Sequence, residues 1–305
     1  MSQIFQHMLV ALDGSTMAEA ALPVAIGLAK PLGASITLLH VQEKSAPRTV
    51  HGELHLQNAE KAANYLVEIA TRWSAAGVPM SWHVHPNEQG DVARSIYEHA
   101  QEMNAGLIVI TTHGSGGLRE LIFGSIAEQV VRLGTTPTLV VRPPSEGVLE
   151  RYACQSILIP IERQHESTEV LELARQISEA TGARLTLATV VPTPSTVSGD
   201  LAASATFSPN TVAAILDLEY SETLRYLDDK AKAWRQTGRT VETSVSRGNP
   251  VPQITAVAAN TQADLVILAT HGRIGLDGTF SGSTTPRLLD AFRVPVLLVK
   301  LSERD

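Results

Sequence analysis

The sequence predicts an α/β protein. It has two similar doubly wound, Rossmann-like parallel sheets of five strands each, packed as an internal pseudo-dimer. Three observations carry this. The chain repeats itself, with Met8-Leu9-Val10-Ala11-Leu12-Asp13 answered by Ile157-Leu158-Ile159-Pro160-Ile161-Glu162 at an offset of 149. Short apolar runs alternate with amphipathic stretches, which gives right-handed βαβ units. A glycine loop of one spacing, H-G-x2-G-L-x5-G-S, occurs late in each half.

In the first copy the strands are expected near 7–13, 34–41, 79–85, 106–112 and 137–142. The run Leu107-Ile108-Val109-Ile110 is apolar at every position, as a strand covered by helices on both faces must be. Helices are expected over 17–32, 54–76, 92–103 and 125–133. In the first of them Ala21, Val24, Ala25 and Leu28 share one face. Ala34 to Val41 recurs as Ala183 to Val190 at the same offset, but Gly106 to Gly114 recurs as Asp264 to Gly272 at 158. The second copy therefore carries a net insertion of nine residues. The Pro-, Ser-, Thr- and Ala-rich segment 192–210 is expected to hold it as a long loop. Pro143-Pro144-Ser145-Glu146-Gly147 reads as the linker, so domains of 1–147 and 148–305 are expected. Exposed sheet edges favour pairing, and two copies in one chain can cover each other's edge.

Composition narrows the function classes. The 305 residues suffice for two domains, and 44% hydrophobic with 18% charged residues suits a folded globular chain. The net charge is −7, neither half is basic, and no Lys/Arg run reads as a nucleic-acid arm. No apolar run has the ~18 residues that a membrane span needs, and no signal peptide is read at the N-terminus. The single cysteine, Cys154, fits a reducing compartment, so a cytoplasmic location is expected.

The chemistry is expected beyond the carboxyl ends of the strands, at the switch point of each sheet. After the fourth strand, copy one reads His113-Gly114-Ser115-Gly116-Gly117-Leu118, then Gly124-Ser125. Copy two reads His271-Gly272-Arg273-Ile274-Gly275-Leu276, then Gly282-Ser283. Glycines let backbone approach a ligand, and the helix opened by Gly124-Ser125 offers free N–H groups to an anion. The alternative is a glycine-rich turn with a serine cap and no ligand. Neither the P-loop pattern G-x-x-x-x-G-K-[ST] nor the G-x-S-x-G elbow occurs. Asp13 ends the first strand and could accept from ribose hydroxyls; the competing reading is a cap for the next helix.

These residues resemble the universal stress protein family, in its tandem two-domain type and ATP-binding branch, whose fold is adenine nucleotide α-hydrolase-like. The resemblance covers nearly the whole chain, and it implies that the final strands, Pro137 to Arg142 and Pro295 to Lys300, lie at a sheet edge. It rests on Ala11-Leu12-Asp13-Gly14-Ser15, Leu38-Leu39-His40-Val41 and the glycine loop. The family pattern G-x2-G-x9-G-[ST] is met by Gly114, Gly124 and Ser125 and by Gly272, Gly282 and Ser283. Its first glycine is Thr111 in one copy and Ala269 in the other. The resemblance implies ATP, with Mg²⁺ or Mn²⁺ on its phosphates. Asp13 would hold ribose and the Val41 backbone adenine, with Ala11 and Thr112 lining the site. Gly114, Gly124, Ser125 and the Ile126 N–H would hold phosphates. In copy two Glu162, Val190, Gly272, Gly282, Ser283 and Thr284 take those places. Copy two is expected to bind more weakly, because Glu162 is longer than Asp13 and Asp277 replaces Arg119.

No catalytic residue is assigned. A regulatory module that answers nucleotide occupancy through an unidentified protein partner is favoured, because the glycine loop carries no lysine or paired acids. A slow ATPase or nucleotidyl-transfer enzyme, and a nucleotide-free interaction protein, stand as alternatives; a homo-oligomer is compatible with either. His83 and His85 share one face of the third strand, but two imidazoles fall short of a metal centre, so no metal ligands are assigned. His51 and His55 read as surface histidines, and His113 and His271 as loop-fixing residues.

Overall fold

The computed structural model of the chain describes residues 5–42, 49–50, 53–54, 56, 58–86, 91–112, 125–144, 149–162, 167–197, 199–270 and 284–301. In the first repeat β1 (His7–Ala11) leads through the short α1 (Thr16–Glu19) into α2 (Ala21–Leu32) and β2 (Ser35–Gln42). A two-residue hairpin, β3 (Thr49–Val50) and β4 (Glu53–Leu54), precedes α3 (Ala59–Arg72), β5 (Met80–Pro86) and α4 (Val92–Glu102). Then come β6 (Leu107–Thr111), α5 (Ser125–Leu133) and β7 (Thr138–Val141). The second repeat comprises β8 (Ser156–Pro160), α6 (Thr168–Thr181), β9 (Arg184–Val191), α7 (Asp200–Phe207) and α8 (Pro209–Arg235). It continues with β10 (Val241–Arg247), α9 (Pro250–Asn260), β11 (Leu265–Thr270), α10 (Thr284–Ala291) and β12 (Val296–Lys300).

The ten long strands form one sheet in the order β10-β9-β8-β11-β12-β7-β6-β1-β2-β5. Each half is a five-stranded parallel sheet whose order reverses beside its first strand, β1 or β8. The halves join where β7 and β12 pair antiparallel, with Leu297 opposite Leu139 and Val296 opposite Val140. The expected edge-to-edge pseudo-dimer is thus present. Successive residues of β1 feed opposite faces: Met8 and Val10 enter one core with α2, Leu9 the other with α4. Both cores run through both repeats.

Two basic side chains lock the seam with pseudo-twofold reciprocity. Arg142, just past β7, donates through Nη2 to the Leu289 carbonyl of α10 at 3.1 Å. Lys300, ending β12, donates through Nζ to the Arg132 carbonyl of α5 at 3.0 Å. Each cation meets the carbonyl-rich end of the other repeat's helix, where both hydrogen bonding and the helix dipole favour it.

Beyond shifts of one or two residues at element ends, the structure differs from the sequence expectation in three segments. The helix expected over 17–32 breaks at Ala20, because Pro23 has no N–H to offer the Glu19 carbonyl and the chain tightens there. The helix expected from 54 starts at Ala59, where the Asn58 side chain accepts from the Lys61 N–H; Glu53–Leu54 is strand instead. The inserted segment is not simply a loop. It contains α7, whose alanines favour helix, and leads into the 27-residue α8 with Pro209 in its first turn.

Candidate functional site

In the first repeat β1 lies between β2 and β6, so the crevice at the switch point is walled by the carboxyl ends of β1 and β6. The Leu12 N–H still bonds the Leu39 carbonyl at 2.9 Å, and the chain then leaves the sheet. Asp13 is half-buried. Its Oδ1 accepts from the Ser15 N–H at 2.9 Å and from the Ser15 hydroxyl at 2.7 Å. Ser15, not Asp13, caps α1, accepting from the Ala18 N–H at 3.2 Å. The capping alternative for Asp13 therefore passes to Ser15, and the carboxylate is held by the cap. Gly14 takes a φ of +93°, which L side chains rarely adopt, with the Leu56 side chain packed against it. Above this turn, Tyr65 donates to Glu19 at 3.3 Å. Burial, helped by the Glu19 and Asp13 carboxylates, pushes the Tyr65 phenol well above its ordinary range.

The wall opposite Asp13 begins at Thr112, buried, with its N–H on the Val141 carbonyl at 2.9 Å. Val41 is buried near the end of β2, and Ala11 packs on the same core as α4. Ile126, half-buried, seats the first turn of α5 on that core. The structure thus brings Ala11, Asp13, Val41, Thr112 and Ile126 to one end of one sheet. Gly114, Gly124, Gly272, Gly282 and Ser283, with His113, His271, Arg119 and Asp277, lie outside the described residues, as does the Ser125 side chain.

A further feature of the turn was missed by sequence reasoning. The His40 Nδ1 lies 2.8 Å from the Leu12 carbonyl. A carbonyl only accepts, so Nδ1 carries the proton. At the equivalent place in the second repeat, the Thr189 hydroxyl donates to the Ile161 carbonyl at 2.8 Å. Each donor holds the residue immediately before the candidate carboxylate, Asp13 or Glu162. Thr189→Val keeps the volume and removes the donor; it is expected to destabilise the chain by about 1 kcal/mol, read by urea unfolding.

The second repeat is built differently at this end. Glu162 is exposed where Asp13 is half-buried. Val191, ending β9, is buried against Val212 and Leu216 of α8, while its counterpart Gln42 is only half-buried. Val190 is half-buried and packs on the opposite core, which holds Ile254 and Val257 of α9, and Thr284 opens α10. The start of α8 therefore covers the carboxyl end of β9, and no described residue of the first repeat covers β2 in that way.

Cys154 is buried and its thiol is pushed up by burial first and then by the Asp264 carboxylate, so it is a neutral, inert thiol. The pair His83 and His85 is joined by His99 of α4. No sequence spacing announced this third residue, because the approach of α4 to β5 is a tertiary fact.

The sequence model described as the universal stress protein family matches residues 4–142 and again 154–300. The chain belongs to the universal stress protein family. Its two matches are the two repeats of the fold. Universal stress protein E of Salmonella typhi is 28% identical over 332 residues, covering 98% of this chain and 96% of that protein. Universal stress protein YxiE of Bacillus subtilis is 33% identical over 150 residues, covering 46% of this chain and all of its own length. A crystal structure of a universal stress protein from Archaeoglobus fulgidus superposes with a TM-score of 0.67 at 17% identity, covering 99% of this chain and 100% of that one. That likeness speaks to the fold. No helix among the described residues is long and apolar enough to cross a membrane.

Proposed function

We propose that this universal stress protein is a cytoplasmic regulatory module that binds ATP, with Mg²⁺ or Mn²⁺ on the phosphates, and signals occupancy to a protein partner. Units of 1–147 and 148–305 each carry one crevice, and the first is the tighter. The observation that carries the reading is the Asp13 carboxylate, fixed by Ser15 at the carboxyl end of β1 beside the root of the glycine loop at Thr112. A carboxylate already held in one rotamer loses little freedom on accepting a ribose diol. The described half of the crevice suits the sugar: Ala11 and Thr112 are small, and Gly14 gives the turn no side chain. The phosphates would meet Gly114, Gly124, Ser125 and the Ile126 N–H at the start of α5, where helix N–H groups favour anions. In the second repeat Glu162 is longer and exposed, and α8 crowds the end of β9, which favours weaker or different binding.

Asp13→Ala is expected to weaken ATP binding by about tenfold or more, since hydrogen bonds to a charged group are worth roughly 1.5–3 kcal/mol. Calorimetric titration reads this directly, and Glu162→Ala should leave the tighter event in place. Unchanged affinity in a folded Asp13→Ala protein would remove the carboxylate from the site.

A further inference from the structure

The edge of the first repeat's sheet carries a cluster that the nucleotide reading does not use. His83 and His85 project from the same face of β5, the outermost strand, and His99 comes from α4 beneath it. One ring nitrogen from each lies within 4.8 Å of the others. The His99 ring meets those of His83 and His85 edge-on, with centroids 4.8 and 4.5 Å apart.

The three rings are not equivalent. His99 is buried to 9% exposure, and its Nδ1 lies 2.8 Å from the Glu102 carboxylate. Its Nε2 is buried with no hydrogen-bond partner among the described residues. A buried, unpartnered ring nitrogen costs free energy unless something binds it. The carboxylate takes the proton-bearing Nδ1 and leaves Nε2 with its lone pair. This carboxylate–imidazole arrangement orients ligating histidines and raises their basicity. Burial, then the neighbouring imidazoles, hold His83 and His85 below the ordinary histidine range, against the opposing pull of Glu102 and, for His85, Glu98. Both are therefore neutral at pH 7, the form that donates a lone pair.

The second repeat supplies an internal comparison. Met80 pairs with Ile36 and Val241 with Leu185, and Ile36 and Leu185 are equivalent, so His83 and His85 correspond to Ser244 and Ser246. The α4 and α9 helices align from Val92 and Pro250, so His99 corresponds to Val257. The same fold is thus built without any of the three imidazoles. Their presence together in one repeat is not a demand of packing.

We propose that His83, His85 and His99 bind a borderline divalent cation of the Zn²⁺ class, with the fourth coordination position open to solvent. Three imidazoles and no thiolate suit Zn²⁺ and its neighbours better than Mg²⁺ or Ca²⁺, which prefer oxygen. Ligand nitrogens about 2.0–2.1 Å from a tetrahedral zinc lie roughly 3.3 Å apart, so the cluster needs only a modest rotation of the half-exposed His83 and His85 rings. An occupied site would tie the edge strand β5 to α4, one strand beyond Val41 of β2, which pairs with His85.

The test is calorimetric titration of Zn²⁺ into the chelator-stripped full chain without nucleotide. One saturable site per chain is expected. His83→Gln, His85→Gln and His99→Gln should each weaken it at least tenfold, Glu102→Gln by about tenfold, and His55→Gln not at all. Absence of saturable binding in the wild type, or wild-type affinity in His99→Gln, would overturn the site. Should His99→Gln fail to fold, wild-type affinity in both His83→Gln and His85→Gln, whose rings are half-exposed, overturns it equally.

Discussion

Gly27→Leu is expected to lower the melting temperature by about 6 °C, corresponding to roughly 3 kcal/mol at the upper end of overpacking costs. Gly27 sits inside α2, where glycine would ordinarily be a liability of about 1 kcal/mol relative to alanine. The reason it stands there is the segment that joins the repeats. A Cβ on Gly27 would lie 2.3 Å from the Tyr152 carbonyl oxygen and 2.9 Å from its ring. Tyr152 cannot move away cheaply. Its hydroxyl donates to the Asp264 carbonyl at 3.0 Å, and the N–H groups of Gln155 and Ser156 are held by the Asp264 carboxylate at 2.9 and 3.2 Å. The equivalent residue of α6 is Gln176, because the joining segment occurs only once in a two-repeat chain. A thermal melt of Gly27→Leu that matches the wild type would show that the joining segment does not press on α2 in solution.

The second large effect is at the phosphate end. Gly124→Val should remove the ATP-induced rise in melting temperature while leaving the melting temperature of the nucleotide-free protein within a few degrees of the wild type. Gly124 immediately precedes α5 in sequence, and the first N–H groups of a helix have no partner within it and favour an anion. On the proposed reading, a branched side chain at this position competes with the phosphates for space. A ligand at a hundredfold excess over its dissociation constant stabilises the native state by about 2.7 kcal/mol, enough to be read as a shift of several degrees. A shift of wild-type size in Gly124→Val would place the phosphates elsewhere.

The inner strands, such as β6 with its fully buried Leu107–Thr111, were legible because they are apolar on both faces, a pattern that parallel sheets under two helix layers require and amphipathic helices do not share. The seam was legible from the repeat together with the family resemblance, which puts the final strand of each copy at a sheet edge, and an unpaired edge seeks a partner. Helix starts were less so. Leu54 continues the apolar periodicity of α3, but the hairpin pairing of Thr49–Val50 with Glu53–Leu54 takes it out of the helix, and Asn58 sets the true start. The inserted segment looked like a loop because its Ser, Thr and Pro content masks the short alanine-rich run that becomes α7. The candidate crevice was half legible: Asp13 announced itself by position, whereas the donors that fix its turn, Ser15 and His40, and Thr189 at the equivalent turn of the second repeat, are known only through their contacts. The histidine cluster was one residue short in sequence, because His99 reaches β5 only after α4 has docked beneath the sheet.

The central claim is that the crevice beside Asp13 and Gly124 is the tighter of two adenine-nucleotide sites. Calorimetric titration of ATP with Mg²⁺ into the wild type, Gly124→Val and Gly282→Val tests it most directly. The account predicts a tight event in the wild type that persists in Gly282→Val and is lost in Gly124→Val. No saturable binding of ATP by the folded wild-type chain, or a tight event that survives Gly124→Val and disappears in Gly282→Val, would contradict it.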